Sequence, residues 1–149
     1  PPLEILEAAY PVKFTQWALR PDSGGAGEFR GGLGAIYEIE LLADEAQAFL
    51  FGERGRFAPK GVAGGGDAAL NRVEYEQDDG WHAPPMASKM VGIKLQRGQS
   101  VRLDTPGGGG YGAPANRAAA DVARDVAGGL LAPDYATQTY GPDWKEVTQ

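Results

Sequence analysis

The sequence predicts an α+β fold that is mostly β, with antiparallel strands, glycine-rich polyproline-II-like segments and one or two short C-terminal helices. Three observations support this prediction. Apolar and polar residues alternate with a period of two along several stretches. Glycine and proline, at 23 and 11 of 149 residues, cluster between those stretches. The clearest helical spacing comes near the end of the chain, so the order of elements argues against alternating βαβ units.

The first strand is predicted where Val12 and Phe14 alternate with polar residues. The alternation then shifts to Trp17 and Leu19, which a β-bulge would produce. Residues 1–9, before this strand, form either one short helical turn or an extended entry.

Two β-hairpins are predicted next. Residues 35–43 alternate in polarity and residues 46–53 are the expected partner strand, so the short connection at residues 43–46 favours a hairpin. Alternation in residues 91–103, broken by a turn at 96–99, predicts the second hairpin. The intervening residues 73–90 are polar and contain proline, which predicts a loop or an irregular excursion.

One helix is predicted within residues 116–133 from apolar residues at helical spacing, which are Ala119, Val122, Ala123 and Val126. Gly128 and Gly129 end this helix, and Pro133 lies beyond it, as expected after a helix stop. Asp134 is the predicted cap of a second short helix, which Gly141 closes.

Length and charge limit the functional classes. A chain of 149 residues has the length of one domain, which predicts a single domain over residues 1–149. The net charge of −6 and the lack of a basic run argue against a nucleic-acid partner. No apolar run approaches 18 residues, so no membrane partner is expected. The chain contains no cysteine, which excludes disulfides and thiolate metal sites and fits a cytoplasmic location.

Glycine is concentrated in residues 19–34, 56–72 and 105–114, and three interpretations compete. A phosphate-binding loop requires G-x-x-x-x-G-K-[ST], which is absent, or G-x-G-x-x-G placed between a strand and a helix, which residues 61–70 do not contain. A flexible linker would be rich in glycine and serine with little else, whereas Arg20 and Phe29 interrupt the first cluster. The preferred interpretation is ordered, closely packed main chain, in which missing Cβ atoms let extended segments lie side by side.

Buried backbone groups need hydrogen-bond partners, and arginine and carboxylate side chains within the clusters could supply them. The candidate structural or interface residues are therefore Arg20, Asp22, Arg30, Gly107, Gly108, Gly109, Gly110 and Tyr111. A substrate-facing network of Arg20, Asp22 and Arg30 remains the alternative.

The sequence identifies no catalytic residue and no metal site. His82 is the only histidine, and the nearby Asp78 and Asp79 lack a second imidazole for a typical catalytic zinc site. Ser23 has no neighbouring histidine, so a turn or cap role is favoured over a nucleophile. Lys89 and Lys94 are interpreted as solvated surface residues, as are Glu38 and Glu40.

Seven motifs in this order resemble the C-terminal region of the hydantoinase B/oxoprolinase family. They are YPV, LRPDSGGAGEFRGGLG, GER, PKGVAGG, TPGGGGYGAPANR, DVARDVAGG and YATQTYG, and they span residues 10–141. The resemblance implies large subunits that work with hydantoinase-A-like ATP-binding partners. Such pairs activate an amide or ketone by phosphorylation, and then hydrolyse a cyclic amide or carboxylate the ketone.

The chain is shorter than a typical family member, which implies a split gene product. The resemblance then favours the separate small subunit of an acetophenone carboxylase-like ketone carboxylase, inactive when isolated. The expected partners are hydantoinase-A-like ATP-binding subunits and a hydantoinase-B-like large subunit in a hetero-oligomer. This chain would bind no cofactor, with ATP and Mg²⁺ on the partners. The alternatives are a C-terminal fragment of a hydantoinase or 5-oxoprolinase, and a non-catalytic binding or scaffold module.

Overall fold

The computed structural model describes residues 2–147, and the chain divides into two compact units. The first unit contains Pro1–Ala18, Ala35–Arg56 and Asn71–Thr105. The second unit contains the stretches between and after these. The predicted α+β, mostly β class with antiparallel strands is confirmed. The assignment of residues 1–149 to one domain stays a prediction.

In the first unit, the described residues form a short helix, α1 (Leu3–Ala9), followed by seven strands. Five of them form one sheet in the order β1-β2-β7-β4-β5, and the other two pair as β3-β6. The strands are β1 (Val12–Leu19), β2 (Ala35–Leu41), β3 (Glu45–Phe51), β4 (Arg72–Gln77), β5 (Gly80–His82), β6 (Lys89–Gln96) and β7 (Ser100–Asp104). The predicted bulge in β1 stays a prediction.

Both predicted hairpins are wrong, because β2 pairs with β7 and β3 pairs with β6. The pairing register of the β2–β7 ladder is nearly the same as that of the β3–β6 ladder. One short bend connects β2 to β3, and another connects β6 to β7. Across the bends, the N–H of Leu41 donates to the Gln99 carbonyl at 3.0 Å and the N–H of Arg97 donates to the Asp44 carbonyl at 3.1 Å. The connections therefore continue one long two-stranded ribbon instead of reversing the chain.

The predicted loop at residues 73–90 is also wrong, since it contains a β-hairpin. Strands β4 and β5 pair antiparallel around Asp78 and Asp79, and Gly80 follows with φ of +117°. Strand β4 lies inside the sheet because it pairs with β7 as well as with β5, and its Val73 is only 3% exposed. Alternation of Val73 and Tyr75 with glutamates was the signal for this strand.

A small core holds the first unit together. Leu41, Ile93 and Leu95 are buried there, and partly buried residues of β3, β4 and β7 pack around them. These side chains come from both ladders of the ribbon, so the apolar face runs across the bends. This continuity is the physical reason why the short connections do not reverse the chain.

The second unit contains a 3₁₀ turn, Pro114–Asn116, and the helices α2 (Ala119–Ala127), α3 (Pro133–Tyr140) and α4 (Trp144–Val147). The helix predicted from the apolar spacing is α2, and its C-cap is Gly128. Pro133 lies beyond the end of α2, as predicted, and it also opens α3. The prediction that Asp134 caps this second helix is wrong, because Asp134 lies in the first turn and no side chain of the helix start makes a cap hydrogen bond. The helix α4 was not predicted. The buried core of these helices is Val122, Ala123, Leu131, Ala136 and Trp144.

Candidate functional site

Three glycine-rich segments of the second unit, residues 23–32, 60–69 and 107–112, lie side by side; we call them the glycine wall. Apart from isolated bridges they contain no helix or strand, yet their main chains hydrogen bond to one another. The N–H of Gly25 donates to the Gly108 carbonyl at 2.8 Å, and the N–H of Gly66 donates to the Ala26 carbonyl at 2.7 Å. The N–H of Gly110 donates to Gly66 at 3.0 Å. The segments are therefore ordered parts of the fold.

Most glycines of the wall are needed because a side chain at their positions would collide with neighbouring main chain. A Cβ on Gly25 would meet the Gly66 carbonyl, and one on Gly31 would meet the Gly108 carbonyl, well inside the 3.0 Å that real Cβ atoms respect. The same holds for Gly110 against the Ala26 carbonyl. None of these three glycines has the left-handed φ that would itself favour glycine. Close main-chain approach therefore explains the glycines.

The four glycines predicted as structural residues are not equivalent. A Cβ on Gly107 would collide with Ser23 main chain, and one on Gly109 with Lys60 main chain. Gly110 is blocked as described above. A Cβ on Gly108, in contrast, would meet only an ordinary contact of 3.5 Å with the Gly32 nitrogen. Position 108 thus has room for a methyl group, although its neighbours do not.

Arg20 binds main chain beside the wall. Its Nη1 donates to the Leu70 carbonyl at 2.8 Å. Ser23, which is fully buried, donates from Oγ to the Arg20 carbonyl at 2.6 Å and accepts from the Gly34 N–H at 2.9 Å. This supports the turn role favoured for Ser23.

Asp22 joins the wall to α3. Its backbone has φ of +59°, in the left-handed region that aspartate tolerates better than most residues. Its Oδ1 accepts from the Ala132 N–H at 2.9 Å, and its own N–H donates to the Leu130 carbonyl at 3.1 Å. Asp22 therefore supplies the polar cap that α3 lacks at its own N-terminus.

Arg30 belongs to a buried ionic cluster that sequence reasoning missed. Its Nε and Nη2 bind the two oxygens of Asp125 on α2 at 2.9 and 3.1 Å, and its Nη1 donates to the Gly31 carbonyl. Arg117 binds the same carboxylate at 2.8 Å and donates to the Glu28 carbonyl at 3.1 Å. Side-chain exposures of 16% for Arg30, 11% for Arg117 and 9% for Asp125 place the cluster out of bulk solvent.

The two guanidinium groups decide the charge state of Asp125. Burial disfavours the carboxylate and by itself raises its pKa, but the hydrogen bonds and charges of Arg30 and Arg117 outweigh burial. The net effect is to hold the pKa of Asp125 below its usual value. The only sequence signal for the cluster was an aspartate on the apolar side of the predicted helix.

Tyr111 lies in an exposed row of apolar side chains. It exchanges two main-chain hydrogen bonds of 3.0 Å with Phe29, and it forms a parallel bridge with Val62. The Phe29 and Tyr111 rings have centroids 6.3 Å apart. Phe29 is 62% exposed, Tyr111 54% and Val62 60%, so the wall carries apolar side chains on its surface.

The other residues considered from sequence lie in the first unit. His82 Nε2 contacts Asp79 Oδ1 at 2.7 Å, and Asp78 accepts from Gln99. Within residues 2–147, no three histidine, cysteine, aspartate or glutamate side chains gather as metal ligands. Lys89 pairs with Glu53 at the surface.

Glu38 differs from its predicted exposure. It is partly buried and accepts from the Thr15 hydroxyl at 2.9 Å. In the described part of the chain, no helix is both long enough and apolar enough to cross a bilayer.

Comparison with known proteins gives concordant matches. The chain is 38% identical to caprolactamase subunit beta of Pseudomonas jessenii over 93% of its length, and 36% identical to 5-oxoprolinase of Dictyostelium discoideum over 74%. A crystal structure of the ATP-dependent caprolactamase superposes with a TM-score of 0.78 at 34% identity, over 94% of this chain and 24% of that one. Acetone carboxylase superposes with a TM-score of 0.82 at 22% identity, over 95% and 23% of the two chains, which shows a shared fold.

These matches cover only part of each relative. The chain spans 24% of caprolactamase subunit beta and 8% of the 5-oxoprolinase. The family model named Hydantoinase B/oxoprolinase matches residues 1–114, well over half of the chain. With identity above 30% across nearly all of its residues to caprolactamase subunit beta, the chain belongs to the hydantoinase B/oxoprolinase family.

Proposed function

We propose that this chain is the wall-forming part of a hydantoinase-B-type subunit in an ATP-dependent, multi-subunit enzyme that opens a cyclic amide. The observation that carries the proposal is the 38% identity with caprolactamase subunit beta over 93% of this chain. The identity of 36% with a 5-oxoprolinase supports the same substrate class.

The glycine wall suits a scaffolding role at an active site. Its main chains approach too closely for side chains at Gly25, Gly31 and Gly110, and hydrogen bonds join them. Such a surface loses little order when a ligand or a neighbouring subunit binds, because it is already fixed. In the proposed enzyme the wall shapes the shared site, while reacting groups come from the rest of the assembly.

The proposed partners divide the chemistry. Hydantoinase-A-like subunits hold ATP and Mg²⁺, a hydantoinase-B-like polypeptide surrounds the wall, and this chain binds no cofactor of its own. The assembly is a cytoplasmic hetero-oligomer. ATP phosphorylates the amide oxygen, water adds at the carbonyl carbon, and the C–N bond breaks, which yields a carboxylate, an amine, ADP and phosphate.

Carboxylation of a ketone, as in an acetophenone carboxylase-like enzyme, is the second candidate. It is supported by the fold shared with acetone carboxylase at a TM-score of 0.82. The third candidate is a non-catalytic binding or scaffold module that acts without these partners.

Reconstitution distinguishes the candidates. The chain is co-expressed with a hydantoinase-A-type subunit and the remaining hydantoinase-B-type polypeptide, and the complex is purified. ADP release and product formation are then measured with caprolactam, 5-oxoproline and hydantoin, and separately with acetone or acetophenone plus bicarbonate. Amide-dependent ADP release with ring-opened product is the expected result. Ketone-dependent carboxylation would establish the second candidate, and failure to co-purify with either partner would overturn both enzyme proposals.

A further inference from the structure

Phe29, Val62 and Tyr111, which we call the apolar triplet, come from all three segments of the glycine wall. Bridges join their backbones directly, and the two aromatic rings are 6.3 Å apart. Residues paired across neighbouring extended segments present their side chains on the same face. The triplet therefore forms one continuous patch, although its members lie up to 82 positions apart in the sequence.

Within the described residues of the second unit, no buried core includes these three side chains. Each is more than half exposed, so the unit gains little from burying them. Soluble proteins seldom keep contiguous apolar patches on their surface without a binding role. The fixed main chain beneath the triplet would also reduce the ordering cost of docking.

The main chain under the triplet limits the mode of contact. The main-chain N–H and carbonyl groups of Phe29 and Tyr111 hydrogen bond to each other. The N–H of Val62 donates to the Gly110 carbonyl at 2.8 Å, and the Val62 carbonyl accepts from the Gly112 N–H at 3.0 Å. These groups are not free to pair with an added strand. A partner must instead contact the side chains, with an apolar face of its own.

The lengths of the relatives indicate the occupant. The same fold is 24% of the chain of the ATP-dependent caprolactamase and 23% of the acetone carboxylase chain. In those proteins about three quarters of one polypeptide must lie beside this fold.

We propose that the apolar triplet is the surface on which the remainder of a hydantoinase-B-type polypeptide packs, through an apolar face of aliphatic side chains. This inference rests on the proposed function and names the contact that joins the wall to the rest of that subunit.

The test measures binding of the chain to a separately expressed, tagged hydantoinase-B-type polypeptide that lacks this region. The variants are Val62→Ser and Tyr111→Ser, alone and combined, with Phe51→Ser as the matched control. Phe51 is 75% exposed on β3 in the first unit, so it tests loss of an exposed aromatic elsewhere. The double variant should bind at least about tenfold more weakly, the equivalent of about 1.4 kcal/mol, while the control stays within about twofold.

Thermal unfolding of each variant separates loss of contact from loss of fold, and near-native midpoints are expected because the side chains are exposed. Wild-type binding that the triplet variants retain would overturn the inference and leave the proposed function intact. No binding by the wild type would overturn both. Self-association that the double variant abolishes would assign the triplet to a second copy of this chain, against the proposal.

Discussion

Arg30 and Asp125 form a bidentate ion pair, at 2.9 and 3.1 Å, between residues 95 positions apart in the sequence. The pair fixes the first wall segment to α2. Arg117 binds the same carboxylate, so one buried aspartate faces two cations. Removing its charge would leave both guanidinium groups in a poorly solvated place.

Asp125→Asn should therefore destabilise the protein by about 3 kcal/mol, the range seen when one partner of a buried pair is removed. Asp121→Asn on the same helix is the matched control, because Asp121 pairs with Arg124 at the surface. That exposed pair should contribute less than about 1 kcal/mol. Urea unfolding followed by circular dichroism measures both, and equal effects would contradict the assigned role of the cluster.

The lowered pKa of Asp125 predicts a pH dependence. A group whose pKa is lower in the folded state stabilises the fold above its ordinary pKa, and this contribution is lost as pH falls through the folded-state value. The difference in unfolding free energy between the wild type and Asp125→Asn should therefore shrink from about pH 5 to about pH 2. A difference that stays constant over this range would show that charge is not the cause.

Adjacent glycines should respond differently to alanine. Gly109→Ala drives a methyl group into the Lys60 main chain and should cost about 3 kcal/mol or more, or prevent folding. Gly108→Ala has room and should change stability by less than about 1 kcal/mol, with either sign. Thermal unfolding of the two variants measures this contrast, and similar midpoints would contradict the close packing of the wall.

Ser23→Ala should cost about 1 to 3 kcal/mol, because the buried N–H of Gly34 would lose its acceptor. Thr137→Ala is the control, since its hydroxyl donates to the Pro133 carbonyl at an exposed position. Chemical denaturation compares them. An effect of Ser23→Ala no larger than that of the control would mean that another group satisfies Gly34.

Two substitutions of Asp22 separate the effect of its charge on stability from the effect of its hydrogen bond. Asp22→Asn keeps an acceptor for the Ala132 N–H and tolerates the left-handed backbone, so near-wild-type stability is expected. Asp22→Ala loses the acceptor and strains φ, and should be less stable by about 1 to 2 kcal/mol. If both variants lost the same stability in urea unfolding, the carboxylate charge would be the important feature instead.

Local sequence patterns predicted most strands and α2, but they did not predict which strands pair with each other. Alternation located β2, β3, β6 and β7, whereas the partner of each strand depends on an apolar face that continues across two bends. A short connection between two alternating segments is compatible with either a reversal or a bend. The sequence signal for β4 was present in Val73 and Tyr75, and the surrounding polar residues and prolines obscured it.

The candidate site was predictable where the side chains act locally. Ser23 donates to the Arg20 carbonyl, three positions earlier in its own segment. Arg20, in contrast, donates to the Leu70 carbonyl, 50 positions away, which the sequence did not indicate. Asp125 escaped prediction because its partners come from position 30 and from Arg117, which only the folded chain brings together. The difference between Gly108 and Gly109 likewise depends on which neighbouring carbonyl lies opposite each position.

The interleaving of the two units has a consequence for synthesis on the ribosome. Strand β2 ends at Leu41, but its partner β7 begins only at Ser100, and the helical core of the second unit begins later still. A nascent chain that stops before Ser100 would hold β2 without β7. Folding is therefore expected to be largely post-translational, and truncated or stalled products should depend on chaperones because their apolar strands stay uncovered.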